Sequence, residues 1–132
     1  MSRNQYFQVA MSCCVALSLA LAASAGACEP DPARPPIKVS VGTDGRPEVA
    51  PDGVSACVGE TIRWIFKGSA AREFAVVFTS EEDSPFDWHR QTGATVTGTV
   101  RRDAVKDNRA TEYKYSVEVD GKVLDPKIII EP

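Results

Sequence analysis

A succession of short alternating runs, starting at Ile37, constrains this chain more than anything else in it. "IKVSV", "TIRWIF", "ATVTGTV" and "EYKYSVEV" each switch between apolar and polar residues. That two-residue period marks strands with one buried face. It places Ile62, Trp64 and Phe66 on one side of their run, and Tyr113, Tyr115, Val117 and Val119 on one side of theirs. "EFAVVF" is apolar throughout after its glutamate, as in a strand covered on both faces, and "KIIIE" adds a closing run. Turn residues separate the runs: Thr43-Asp44-Gly45, Pro51-Asp52-Gly53, Gly59 and Asp120-Gly121. Aspartate and glycine accept the left-handed backbone that tight turns need. No stretch sustains a helical period, although residues 101–108 leave room for one helical turn. The pattern predicts an all-β fold, an antiparallel Greek-key β-sandwich of seven to eight strands.

The runs are preceded by "MSRNQYFQVAMSCCVALSLALAASAGAC". A cation, Arg3, is followed by an apolar run and then small residues, the order of a secretory signal peptide. The expected signal covers residues 1–25, with cleavage after Ala25 or Ala27. Its apolar run is about 15 residues, short of the roughly 20 that span a bilayer, so no transmembrane span is expected in the mature chain. Residues 26–36 then form a proline-rich leader that ends in "EPDPARPP", and residues 37–132 the domain. Proline fixes φ and lacks a donor, so the leader is expected to be extended and able to act as a tether.

The protein is therefore expected to be exported, to the periplasm or the medium. "SAGAC" also resembles the lipobox of bacterial lipoproteins, with Ala25 where leucine is usual, and leaves a lipid anchor at Cys28 as the alternative. Cys13 and Cys14 leave with the signal, so Cys28 and Cys57 remain. In an oxidising compartment they are a candidate disulfide. Its loop of about 30 residues is worth ~3–4 kcal/mol in the chain-entropy model. With Cys28 lipidated, Cys57 would be a lone buried thiol.

The whole chain carries 15 Lys+Arg against 18 Asp+Glu, a net charge of −3. Losing Arg3 makes the mature part more acidic still. No basic stripe is present, so nucleic-acid binding has no electrostatic footprint. One histidine, His89, and serines outside any nucleophile elbow offer no triad, and no enzyme activity is expected. Glu81, Glu82, Asp83 and Asp87 match no EF-hand spacing. The longest connection, residues 79–93, holds "SPFDWHR". Its Phe86, Trp88, His89 and Arg90 combine aromatic anchors with polar handles, the composition of binding hot spots. They form the candidate binding loop, with packing onto the sandwich as the competing role for the two aromatics.

Three segments together resemble the cupredoxins, the small exported blue-copper sandwiches. "VGETIRWIF" is similar to the family's turn and tryptophan-bearing strand. "REFAVVF" is similar to the strand whose family form starts Pro-His, and "TEYKYSVEVDG" with "LDPKIIIEP" to the closing copper-binding hairpin. The resemblance implies the sandwich and export. It does not bring the copper. Phe74 stands where the first family histidine would be, Val117 at the cysteine, Asp120 near the second histidine, and residues 123–125 at the methionine loop. A blue-copper site needs two imidazoles and a thiolate, and this chain has one histidine, with Met1 and Met11 both in the signal. No cofactor is expected. The implied function is a non-catalytic binding or accessory module of the bacterial envelope, acting on an unidentified protein partner through the 79–93 loop at the copper-site end. A degenerate metal-handling or electron-transfer protein is the alternative.

Overall fold

Alternation becomes burial in the computed structural model, which describes residues 28–68 and 72–132. The expected signal peptide lies outside the described residues. In β4 (Thr61–Phe66), Ile62 and Trp64 are buried while Thr61 and Arg63 are exposed. In β5 (Phe74–Val77) three successive residues are buried, as a strand covered on both faces requires.

The other strands are β1 (Ile37–Val41), β2 (Pro47–Ala50), β3 (Gly53–Cys57), β6 (Arg90–Gly93), β7 (Thr95–Thr99), β8 (Thr111–Lys114), β9 (Ser116–Val119), β10 (Lys122–Leu124) and β11 (Lys127–Glu131). They form three sheets, ordered β2-β1-β4-β7, β10-β9-β5-β6 and β3-β11-β8. The inward faces build one core that includes Val39, Ile62, Trp64, Val76, Val96, Val117, Ile128 and Ile130. The all-β sandwich expected from the pattern is present.

The described residues hold eleven strands and not seven or eight, because runs that read as single strands divide where the chain changes sheet. Pro51-Asp52 separates β2 of the first sheet from β3 of the third. Tyr115 separates β8 of the third sheet from β9 of the second, with no break in side-chain alternation. Asp125-Pro126 sends the chain from β10 back to the third sheet, so β11 pairs with β8 and β3 and not with β9. Two pairs, β1 with β4 and β3 with β11, are parallel, against the antiparallel expectation. Each joins strands that other strands separate along the chain.

The turns follow their residue types. Asp120 and Gly121 take φ of 50° and 77°, the left-handed pair of a two-residue hairpin between β9 and β10. Residues 101–108 form no helix. Asp107 and Asn108 take φ of 54° and 53° beneath a Lys106–Arg109 bridge. Among the described residues no helix is long and apolar enough to cross a membrane.

The proline-rich leader is no tether over the residues described. Cys28 and Cys57 are joined by a disulfide, with Cα atoms 5.4 Å apart. The Cys28 N–H donates to the Pro132 carbonyl at 3.0 Å, and Asp31 and Arg34 bind Glu60. The Cys28 sulfur that a lipid anchor would use is bonded to Cys57.

Candidate binding groove

Five aromatic side chains meet at one end of the sandwich. Trp64 comes from β4, Phe78 from just past β5, Tyr115 from the β8–β9 junction, and Phe86 and Trp88 from the loop after β5. Trp64 meets Phe86 and Tyr115 edge-on, each at 5.7 Å between ring centroids. Phe86 stacks on Trp88 at 4.9 Å, and Phe78 lies 5.4 Å from Tyr115. Such pairs contribute about 0.5–1.5 kcal/mol each beyond area burial.

The loop is held in shape by its own polar groups. The Ser84 hydroxyl donates to the Trp88 carbonyl at 2.6 Å and accepts from the Phe86 N–H at 3.1 Å. Arg101 donates to the Ser84 carbonyl at 2.7 Å. Phe86 lies against Gly98 of β7, where a Cβ would fall 2.6 Å from the ring. Only glycine leaves room for it.

The candidate loop residues divide. Phe86 is fully buried and belongs to the core. Trp88 is half-buried in the same cluster, while His89 and Arg90 are exposed. Arg90 belongs to β6, so the irregular connection ends at residue 89, and Arg90 pairs with Glu118 at 3.1 Å. The His89 carbonyl accepts the Phe78 N–H at 2.6 Å. The loop therefore leaves the sandwich at the Phe78 end of β5. Phe74 and Asp120, the positions matched to copper-site histidines, lie at the opposite end, where Arg72 pairs with Asp120 at 3.1 Å. The expectation that the loop sits at the copper-site end is corrected. An antiparallel return places β6 residue Arg90 opposite Val77 and Gly93 opposite Phe74. Phe74 and Val117 are buried apolar core. Among the described residues no three His, Cys, Asp or Glu side chains converge to hold a metal ion.

The loop end carries an open groove of about 840 Å³. It lies where the second and third sheets diverge. Phe78, Tyr115 and Pro126 form its floor, and Val77 and Leu124 one apolar wall. Its rim bears both charges: Lys114 and Lys127, and Asp52 and Asp125. The Ser116 hydroxyl fixes Asp125 at 2.8 Å, whereas Lys127 keeps only a 3.6 Å contact to Glu112. Volume, an aromatic floor and a few polar groups at the rim are the usual makings of a ligand site.

Tyr115 is locked into this floor. Burial pushes its phenol up to about 12, although the hydrogen bond from Trp64 acts the other way. It stays neutral and is a packing surface, not an acid or base, near neutral pH.

The groove residues carry no motif. Pro126 was the available signal, because a proline at the start of a strand marks where the chain turns into it. Compared with known proteins, the chain matches no family model and no curated protein sequence.

Proposed function

We propose that the chain is an exported, cupredoxin-like, metal-free binding module of the envelope that receives an extended segment of a partner protein in the Phe78–Tyr115 groove. The observation that carries this reading is the groove itself: an opening between the second and third sheets walled by the part-exposed Val77 and Leu124, over the buried Phe78 and Tyr115, with Lys114, Lys127, Asp52 and Asp125 at its rim. An apolar side chain would rest against Val77 and Leu124, above the buried Phe78 and Tyr115. Lys114 and Asp52 would meet the charges of an extended chain on either side. The loop of residues 79–89 supports the floor from behind, since Phe86 and Trp88 both pack on Phe78. Export is supported by the signal-like leader and by the disulfide, which suits an oxidising compartment.

Placing a photo-cross-linking residue at Lys127 tests this. A partner captured there, lost on Leu124→Glu and not captured from exposed Lys38 of β1, is the expected result. Equal capture from both positions would sink the groove as the binding site.

A further inference from the structure

Each sheet edge exposes unpaired backbone groups, and folded proteins blunt such edges against pairing with another chain. Six of the described strands lie at edges: β2, β7, β10, β6, β3 and β8. Five are blunted. β2 has Pro47 and Glu48, β6 has Arg90, β8 has Glu112 and Lys114, and β10 has Lys122. On β3, Arg34 Nη2 donates to the Ser55 carbonyl at 2.6 Å, and Glu60 Oε2 accepts the Cys57 N–H at 2.8 Å. β7, "TVTGT", has neither charge nor proline.

The pairing of β7 shows which of its backbone groups face outward. The Phe66 N–H donates to the Ala94 carbonyl, and the Val100 N–H to the Glu60 carbonyl. Between them, Trp64 stands opposite Val96 and Ile62 opposite Gly98. Bonded pairs alternate with unbonded ones in an antiparallel ladder, so Thr95, Thr97 and Thr99 turn their backbone groups away from β4. Gln91 Oε1 accepts the Thr97 N–H at 3.0 Å, and further on the Pro85 carbonyl accepts the Arg101 N–H at 2.8 Å. Between these two closures, the Thr97 carbonyl and both the N–H and the carbonyl of Thr99 have no protein partner among the described residues. They border an open groove of about 680 Å³. The part-exposed Trp88 is its apolar wall, and Arg101 and Arg102 line it past the end of β7.

We propose that β7 binds an extended, acidic segment of another protein as an added strand. The backbone argues for an extended chain. Thr99 offers a donor and an acceptor on one residue, and a strand residue answers both with its own carbonyl and N–H. The charge argues for acids. Arg102, and Arg63 opposite Thr97 on β4, form no ion pair among the described residues. Asp87 is the one acid among the described residues that line the groove. A chain of net charge −3 thus presents a positive edge here. Acids on one face of the added strand would meet Arg63 and Arg102, and apolar residues on its other face would meet Trp88. This site is separate from the Phe78–Tyr115 groove, and its failure would leave that reading intact.

The probe is a capped hexapeptide of alternating Val and Glu, titrated into the protein and followed through the backbone amide signals by NMR. Saturable shifts should centre on residues 97–102, and the Thr99 amide should slow in hydrogen exchange. The same peptide N-methylated throughout keeps its charge, loses its donors and should not bind. A Val/Lys hexapeptide should bind about ten times more weakly or worse. The Val/Glu peptide should lose about as much on Arg102→Glu and on Thr99→Pro. Proline suits position 99 because the N–H it removes faces away from β4, and Arg102 is exposed, so Arg102→Glu should keep the melting temperature. Absence of saturable shifts, equal binding of the N-methylated or lysine peptide, or unchanged binding to either folded variant would overturn the proposal. Self-association of the protein alone, abolished by Thr99→Pro, would name a second copy as the occupant and overturn it as well.

Discussion

The Trp64 indole N–H donates to the Tyr115 hydroxyl at 3.2 Å, inside the core, so the centre of the first sheet is tied to the point where the chain passes from the third sheet to the second. Tyr115→Phe keeps the ring and leaves the indole donor without a partner. An unpaired buried donor costs about 1–3 kcal/mol. Urea denaturation should show a loss of that size with an unchanged slope.

Alkali should act through the same residue. The folded Tyr115 phenol is raised to about 12 from an ordinary value of 10. The unfolded chain therefore ionises first. The stability due to a neutral, buried Tyr115 is complete below pH 10 and is lost as pH rises towards 12. Burial also raises Tyr113, in the same direction. Phenolate absorbance should lag in the native state, and Tyr115→Phe should flatten the alkaline fall in stability.

Glu60 governs the acid side. Burial pushes its carboxyl up, but Arg34 and the N–H groups of Cys57 and Asp31 outweigh this, and the net shift is downward from 4.5. A lowered carboxylate contributes stability that is present above its unfolded value and lost as pH falls through the folded one. Glu60→Gln should cost about 1.5–3 kcal/mol at neutral pH, the worth of hydrogen bonds to a charged group. It should also weaken the dependence on pH below 4.5, read by thermal melts across that range.

Gly98→Ala should lower the melting temperature, because the added methyl meets a ring that has no free space to enter. Overpacking of this kind costs about 1–3 kcal/mol. Near-ultraviolet circular dichroism should change with it, since Phe86 touches both Trp64 and Trp88.

Trp88→Ala and His89→Ala should separate packing from surface. Trp88 stacks on Phe86 and meets Phe78 and Trp64 edge-on, so its loss should destabilise by about 2 kcal/mol, less than the 3–5 of a fully buried tryptophan. His89 is exposed and should change stability by less than about 0.5 kcal/mol. Equal thermal shifts in the two variants would contradict this assignment.

The sheet faces were legible in the sequence because alternation is a local signal. Ile62, Trp64, Tyr113, Tyr115, Val117 and Val119 all face the core as their spacing indicates. The changes of sheet were not legible, because Tyr115 continues the alternation while the backbone takes a new partner. β6 was hidden for a related reason. "RQTG" has no apolar period, and it is a strand because β5 pairs with it. The disulfide was readable from cysteine arithmetic, but the clasp around Glu60 was not. That clasp joins residues 26 apart, brought together from either side of the paired strands β1 and β4. The groove belongs to the same class, since its floor and walls come from four separate parts of the chain.

The contact between Gly98 and Phe86 also constrains evolutionary change. A methyl at the first position requires a smaller side chain at the second, so the two should vary together in any relative that keeps this core. A glycine in the middle of a strand, paired with an aromatic twelve residues upstream in a Ser-Pro-aromatic loop, is thus a covariation signature. It would mark the fold in chains too divergent for the alternating runs to align.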